Sequence, residues 1–117
     1  MTAPADYRFC TQTVTVYRKT PEGIFRQVIP GCYLQMQNST GFAELGHRQE
    51  RKFLLVQPGD KQLVFAGDRI YAGVGPQITG KQWPAFLPEQ VEGLAVAEYA
   101  TAYFWQNQFC HAEAGRK

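Results

Sequence analysis

The chain is poor in the features that mark membrane-spanning or polyanion-coating proteins. No apolar run in its 117 residues approaches the ~18 needed to cross a bilayer. Residues 1–8 carry no apolar stretch flanked by basic residues, so no secretory signal is expected. Charge of one sign is barely in excess, with 12 basic residues against 10 acidic ones. A net charge of +2 argues against a protein whose main task is to coat DNA or an anionic membrane. Histidines number only two and cysteines three. An odd cysteine count cannot pair fully within one chain, so Cys10, Cys32 and Cys110 read as free thiols of a reducing compartment.

Strand-forming residues and turn formers are plentiful. Val, Ile, Thr, Tyr, Phe and Trp total 36 against seven Leu, and eleven Gly and seven Pro punctuate the length. This composition predicts an all-β fold: a small closed or partly open β-barrel with one or two long loops. One domain over residues 11–115 follows a flexible tail at 1–10.

Period-two alternation is clearest at Thr11–Arg18, where Val14 and Val16 share one face and threonines the other. Pro21 and Gly23 turn the chain into a second strand, which Pro30-Gly31 breaks or bulges. Further strands are expected at Phe53–Val56, briefly at Leu63–Phe65, and at Asp68–Gly73. Residues 91–105 tolerate a helix, but Thr101 and the cluster Tyr103-Phe104-Trp105 suit two short strands better. The expected core is Val14, Val16, Ile29, Leu34, Leu55, Val56, Ile70 and Val96, with more polar opposite faces. Two segments read as long loops, 38–50 and 74–90.

Chemistry-bearing motifs are sparse. Gly75-Pro-Gln-Ile-Thr-Gly80-Lys81 matches the start of a phosphate-binding loop. Gln82 then stands where the Mg²⁺-binding hydroxyl belongs, and Pro84 obstructs the helix such a loop requires. Zinc ligands come in pairs two to four residues apart, and the only close pair, Cys110-His111, is adjacent. Neighbouring residues on a strand point to opposite faces, so these two do not form a nucleophile–base pair either. Asp60 and Asp68 sit beside Gly in turns, where Asp is ordinary. No enzyme activity, metal or cofactor is expected.

Two groups point to binding instead. Trp83, Phe86 and Leu87, framed by Pro84 and Pro88, suit either a stiffened protein-docking loop or a flap closing the barrel's own end. The basic cluster His47–Lys52, through Arg48, Arg51 and Lys52, suits an electrostatic contact with a partner or passing DNA, or a solvated loop edge.

Taken in order, several segments resemble the small head–tail connector proteins of tailed bacteriophages and prophages, known as head-completion, stopper or minor capsid proteins. They are Thr13-Val-Thr-Val-Tyr-Arg18, Ile29-Pro-Gly-Cys-Tyr-Leu34, Gly67-Asp-Arg-Ile-Tyr-Ala-Gly73, Val96-Ala-Glu-Tyr99 and His111-Ala-Glu-Ala-Gly115. The resemblance covers most of residues 10–115 and rests on order and size more than on any single motif. It implies a small β-barrel with a long loop, assembled as a ring with copies of itself between portal or adaptor and tail proteins. It further implies a virion location after assembly in the bacterial cytoplasm, incidental DNA contact in the channel, no membrane association and no catalytic residues. The 38–50 excursion is only mildly basic and the 74–90 loop unusually rich in Pro and aromatics, which leaves open which loop faces the channel. The alternative is a β-barrel protein-binding adaptor unrelated to virions.

Overall fold

A computed structural model describes residues 7–37 and 52–116. Seven strands make up most of it: β1 (Gln12–Thr20), β2 (Gly23–Gln37), β3 (Lys52–Pro58), β4 (Arg69–Ala72), β5 (Leu94–Val96), β6 (Tyr99–Trp105) and β7 (Gln108–Arg116). All pairings are antiparallel, and the sheet order is β5-β4-β1-β2-β3-β7-β6. The sheet curls into a half-barrel, and the all-β expectation holds, including strands rather than helix across 91–105.

The curl originates in β2. Its first half pairs with β1 and its second half with β3. Between them, Pro30 and Gly31 stand opposite the single residue Thr13, a bulge in which Gly31 takes φ +71°. An extra residue bends the strand and sharpens its twist, and the positive φ explains glycine there. The far edges meet through the chain itself. Ala97 N–H donates to Asp68 O at 2.8 Å, and the next amide, Glu98 N–H, donates to Gly115 O at 2.8 Å. Successive amides thus tie the β4 side of the sheet to the β7 side.

The main core lines the concave face and contains Val14, Val16, Ile29, Cys32, Phe53, Leu55, Val64, Ile70, Ala95, Ala97 and Ala114. Leu34 packs against it partly buried. Val56 and Val96, expected in the core, are only half-buried, because Leu55, Ala95 and Ala97 carry the inward register. Leu63–Phe65 contributes buried Val64 without forming a strand.

The expected polar face of β1 is not polar surface at all. Thr15 and Tyr17 are as fully buried as Val14 and Val16. A second cluster of Tyr17, Phe86 and Leu94, flanked by Ile24, Tyr71, Ile78, Trp83 and Val91, lies over that face. Residues 73–93 therefore act as a lid, giving β1 an apolar environment on both sides. The described part of the expected tail is also tied down: Tyr7 lies half-buried, with its hydroxyl 2.7 Å from His111 Nδ1.

Candidate interaction surfaces

The loop over 73–93 is anchored by polar groups projecting from β1, β2 and β4. Thr15 Oγ1 donates to Gly73 O at 2.8 Å and accepts from Gly75 N–H at 2.8 Å. Tyr17 Oη donates to Pro76 O at 2.6 Å, and Arg26 donates twice to Gly75 O. A side chain at Gly75 would collide with the Tyr17 hydroxyl, which explains glycine at the head of the phosphate-loop-like motif. Only a short 3-10 turn at Trp83–Ala85 follows that motif, so the phosphate-binding geometry is not formed.

Arg69 fixes the other end of the loop. It donates to Trp83 O at 2.6 Å and Phe86 O at 2.7 Å, and its guanidinium lies 3.6 Å from the Trp83 ring centroid. Burial lowers its pKa by desolvating the guanidinium, while the two carbonyl oxygens and the Trp83 face favour the cation. Phe86 is buried edge-on against Tyr17, with centroids 4.6 Å apart, and so belongs to the domain's own interior rather than to a docking face. Trp83 and Leu87 are half-buried and retain outward surface.

Beside Trp83, an open groove of about 420 Å³ is lined by Arg18, Lys19, Phe65, Ala66, Gly67 and Asp68. Its floor is a bidentate ion pair: Arg18 Nε and Nη2 donate to Asp68 at 2.8 and 2.6 Å. The Asp68 carboxylate also accepts Phe65 N–H at 2.8 Å. The Arg18 guanidinium is flanked by the rings of Phe25 and Phe65, 5.0 and 4.9 Å from their centroids. The hydrogen bonds to Asp68 raise its pKa. The Gly67-Asp68 turn is therefore a structural joint.

Of the basic cluster, Arg48 and Arg51 lie outside the described residues. Lys52 opens β3, exposed, beside a second groove lined by Gln35, Phe53, Leu54 and Arg116. Cys110 and His111 do not act together. His111 Nε2 is 3.0 Å from Glu113 Oε2, and its ring packs between Tyr7 and Tyr103. Hydroxyl, imidazole and carboxylate thus stand in a row. Burial, followed by the nearby Cys110, Cys10 and Glu113, raises the Tyr7 pKa, which disfavours a tyrosinate nucleophile. The row instead latches the N-terminal segment onto β7.

Sequence reasoning missed the largest exposed aromatic feature. The β6–β7 hairpin carries Tyr103, Phe104 and Trp105, exposed by 38%, 60% and 43%. Phe104 meets Phe109 edge-on across the strands, with centroids 5.9 Å apart. Gln106 and Asn107 both have positive φ, the signature of the two-residue turn that matches strand twist and holds a hairpin tip rigid. The available signal was the stretch 99–110, twelve residues without a charge. Comparison with known protein families, curated proteins and solved structures returns no match.

Proposed function

We propose that this chain is a non-enzymatic virion assembly protein, a head–tail connector or head-closure ring component of a tailed phage or prophage. The ordered sequence resemblance over residues 10–115 gives the reading its identity. The observation that carries it on the molecule is the aromatic hairpin tip, Tyr103, Phe104 and Trp105, held out on a tight turn. Exposed aromatic clusters on a rigid support are what an assembly protein covers with a neighbour. The curled sheet supplies that support.

On this reading the protein works by shape and burial. Portal-side and tail-side neighbours bury its aromatic and loop surfaces, and the ring leaves a passage for DNA. Trp83 and Leu87 contribute to one such face, while Arg48, Arg51 and Lys52 bias orientation or meet passing DNA. The test is a null allele in the phage or prophage that carries the gene, complemented in trans. Filled heads separated from tails are expected without the protein, together with its detection in purified wild-type particles. Normal infectious particles from the null allele, or a gene lying outside any viral genome, would refute the reading. The latter would favour the adaptor alternative.

A further inference from the structure

The two edges of the sheet are built differently. β5 is three residues long, and brevity alone protects such an edge from pairing with another chain. β6 is seven residues, Tyr-Ala-Thr-Ala-Tyr-Phe-Trp, with no charge, no proline and none of its residues fully buried. Among the described residues, its backbone bonds only to β7. The ladder irregularity near Tyr103 and Phe104 comes from an extra residue on β7, Cys110, so β6 itself runs without interruption. Natural sheets blunt long edges with Lys, Pro or a bulge. β6 has none of these.

We propose that, in the free protein before any ring forms, the outer edge of β6 is a strand-addition site whose occupant is β6 of a second copy, paired antiparallel about a two-fold axis at Ala102, a weak contact that ring and tail neighbours displace on assembly. In that register Tyr99 faces Trp105 of the other copy, Ala100 faces Phe104, Thr101 faces Tyr103, and Ala102 faces itself. Large rings meet small side chains or another ring, and no charge opposes a like charge, the pattern that favours cross-strand pairs. Head-to-tail pairing of β6 on β5 is limited to three residues, so the two-fold ladder is the longer one and closes without propagating. The exposed portions of Tyr103, Phe104 and Trp105 offer on the order of 300 Å² per copy. That lies well below the ~800 Å² per partner of a standard stable interface, so the dimer exchanges readily.

Sedimentation velocity of the full chain from about 1 to about 200 µM covers the regime of weak, readily exchanging association. The wild-type protein should pass from monomer to dimer, and no larger species should accumulate. Thr101 is exposed but stands opposite Glu113 on β7, so Thr101→Lys should keep the fold and Thr101→Glu should keep it with a small loss of stability, as circular dichroism and thermal melting verify. The two Thr101 positions lie diagonally across the axis, within reach of long side chains. Each variant alone should dimerise at least tenfold more weakly, and an equimolar mixture should recover association. A wild-type chain that stays monomeric throughout overturns the proposal and leaves the edge to an extended segment of another protein. A dimer insensitive to both variants, or one the mixture fails to restore, places self-association elsewhere and overturns it equally.

Discussion

Removing the Asp68 carboxylate tests the joint beneath the Arg18 groove. Asp68→Ala deletes two charge-assisted hydrogen bonds from Arg18 and one from Phe65 N–H. Breaking a buried ion pair from one side removes about 3–5 kcal/mol, mainly because the remaining charge is stranded. Here the Asp68 side chain is 2% exposed but that of Arg18 is 33% exposed. Water therefore reaches the orphaned guanidinium, and Phe65, itself exposed, rehydrates its amide. The expected loss is about 2–3 kcal/mol after that screening. At roughly 4 °C per kcal/mol for a domain of this size, the melting point should fall by about 8–12 °C. Urea unfolding monitored by tryptophan fluorescence measures the loss directly, with the denaturant slope unchanged. The double variant Arg18→Met/Asp68→Ala completes a cycle and should lose less than the two single variants summed, since no charge is left without a partner. A single-variant loss below about 1 kcal/mol, or additive effects in the cycle, would refute the assignment of Asp68 as a structural anchor.

Further expectations follow from the lid over β1. Thr15→Val keeps the shape but leaves Gly75 N–H and Gly73 O without their partner, and should lose about 2 kcal/mol in urea unfolding. A neutral result would mean the lid rehydrates those groups. Trp83→Ala removes the ring stacked on Arg69, so some loss of melting temperature is expected together with impaired particle assembly. If the variant melts much earlier yet assembles normally, Trp83 serves the lid alone. Burial, with nearby Cys10 adding to it, pushes the Cys32 thiol up to about 12 from an ordinary value of 9.0. Below pH 9 both states hold the proton; above it the unfolded chain releases the proton first. Stability should therefore fall as pH rises from about 9 to about 12, and Cys32→Ala should flatten that decline. An unchanged alkaline slope in the variant would assign the decline to other groups, such as Tyr17, whose pKa burial also raises.

Much of the fold was legible because strand physics is local. The alternation in Thr13–Tyr17, the Pro21–Gly23 turn and the Pro30-Gly31 bulge are read from neighbours in the chain. What covers a strand's second face is not local. Thr15 and Tyr17 looked like exposed positions, yet their partners Gly73, Gly75 and Pro76 lie about sixty residues onward. Register matters as well as distance: Val96 is expected in the core, whereas its neighbours Ala95 and Ala97 take the inward positions and leave it half-buried. The aromatic triplet at 103–105 was recognised as strand-forming. Alternation alone does not say that a hairpin extends beyond the elements able to bury it, so its exposure became visible only in three dimensions.

The two amides of Ala97 and Glu98 have a consequence for how the chain must be made. They join the halves of the sheet, and they lie, with β5, β6 and β7, in the final quarter of the sequence. A chain still on the ribosome with only residues up to 93 exposed has β1 to β4 but no strand on the outer flank of β3 or β4. Phe53, Leu55 and Ile70 then await Ala95, Ala97 and Ala114 to complete their packing. Such a fragment is sticky and incompletely closed, the kind of nascent species that chaperones shelter. The last strands therefore act less as an appendage than as a completion step, and a truncation within them should remove the whole domain rather than its end.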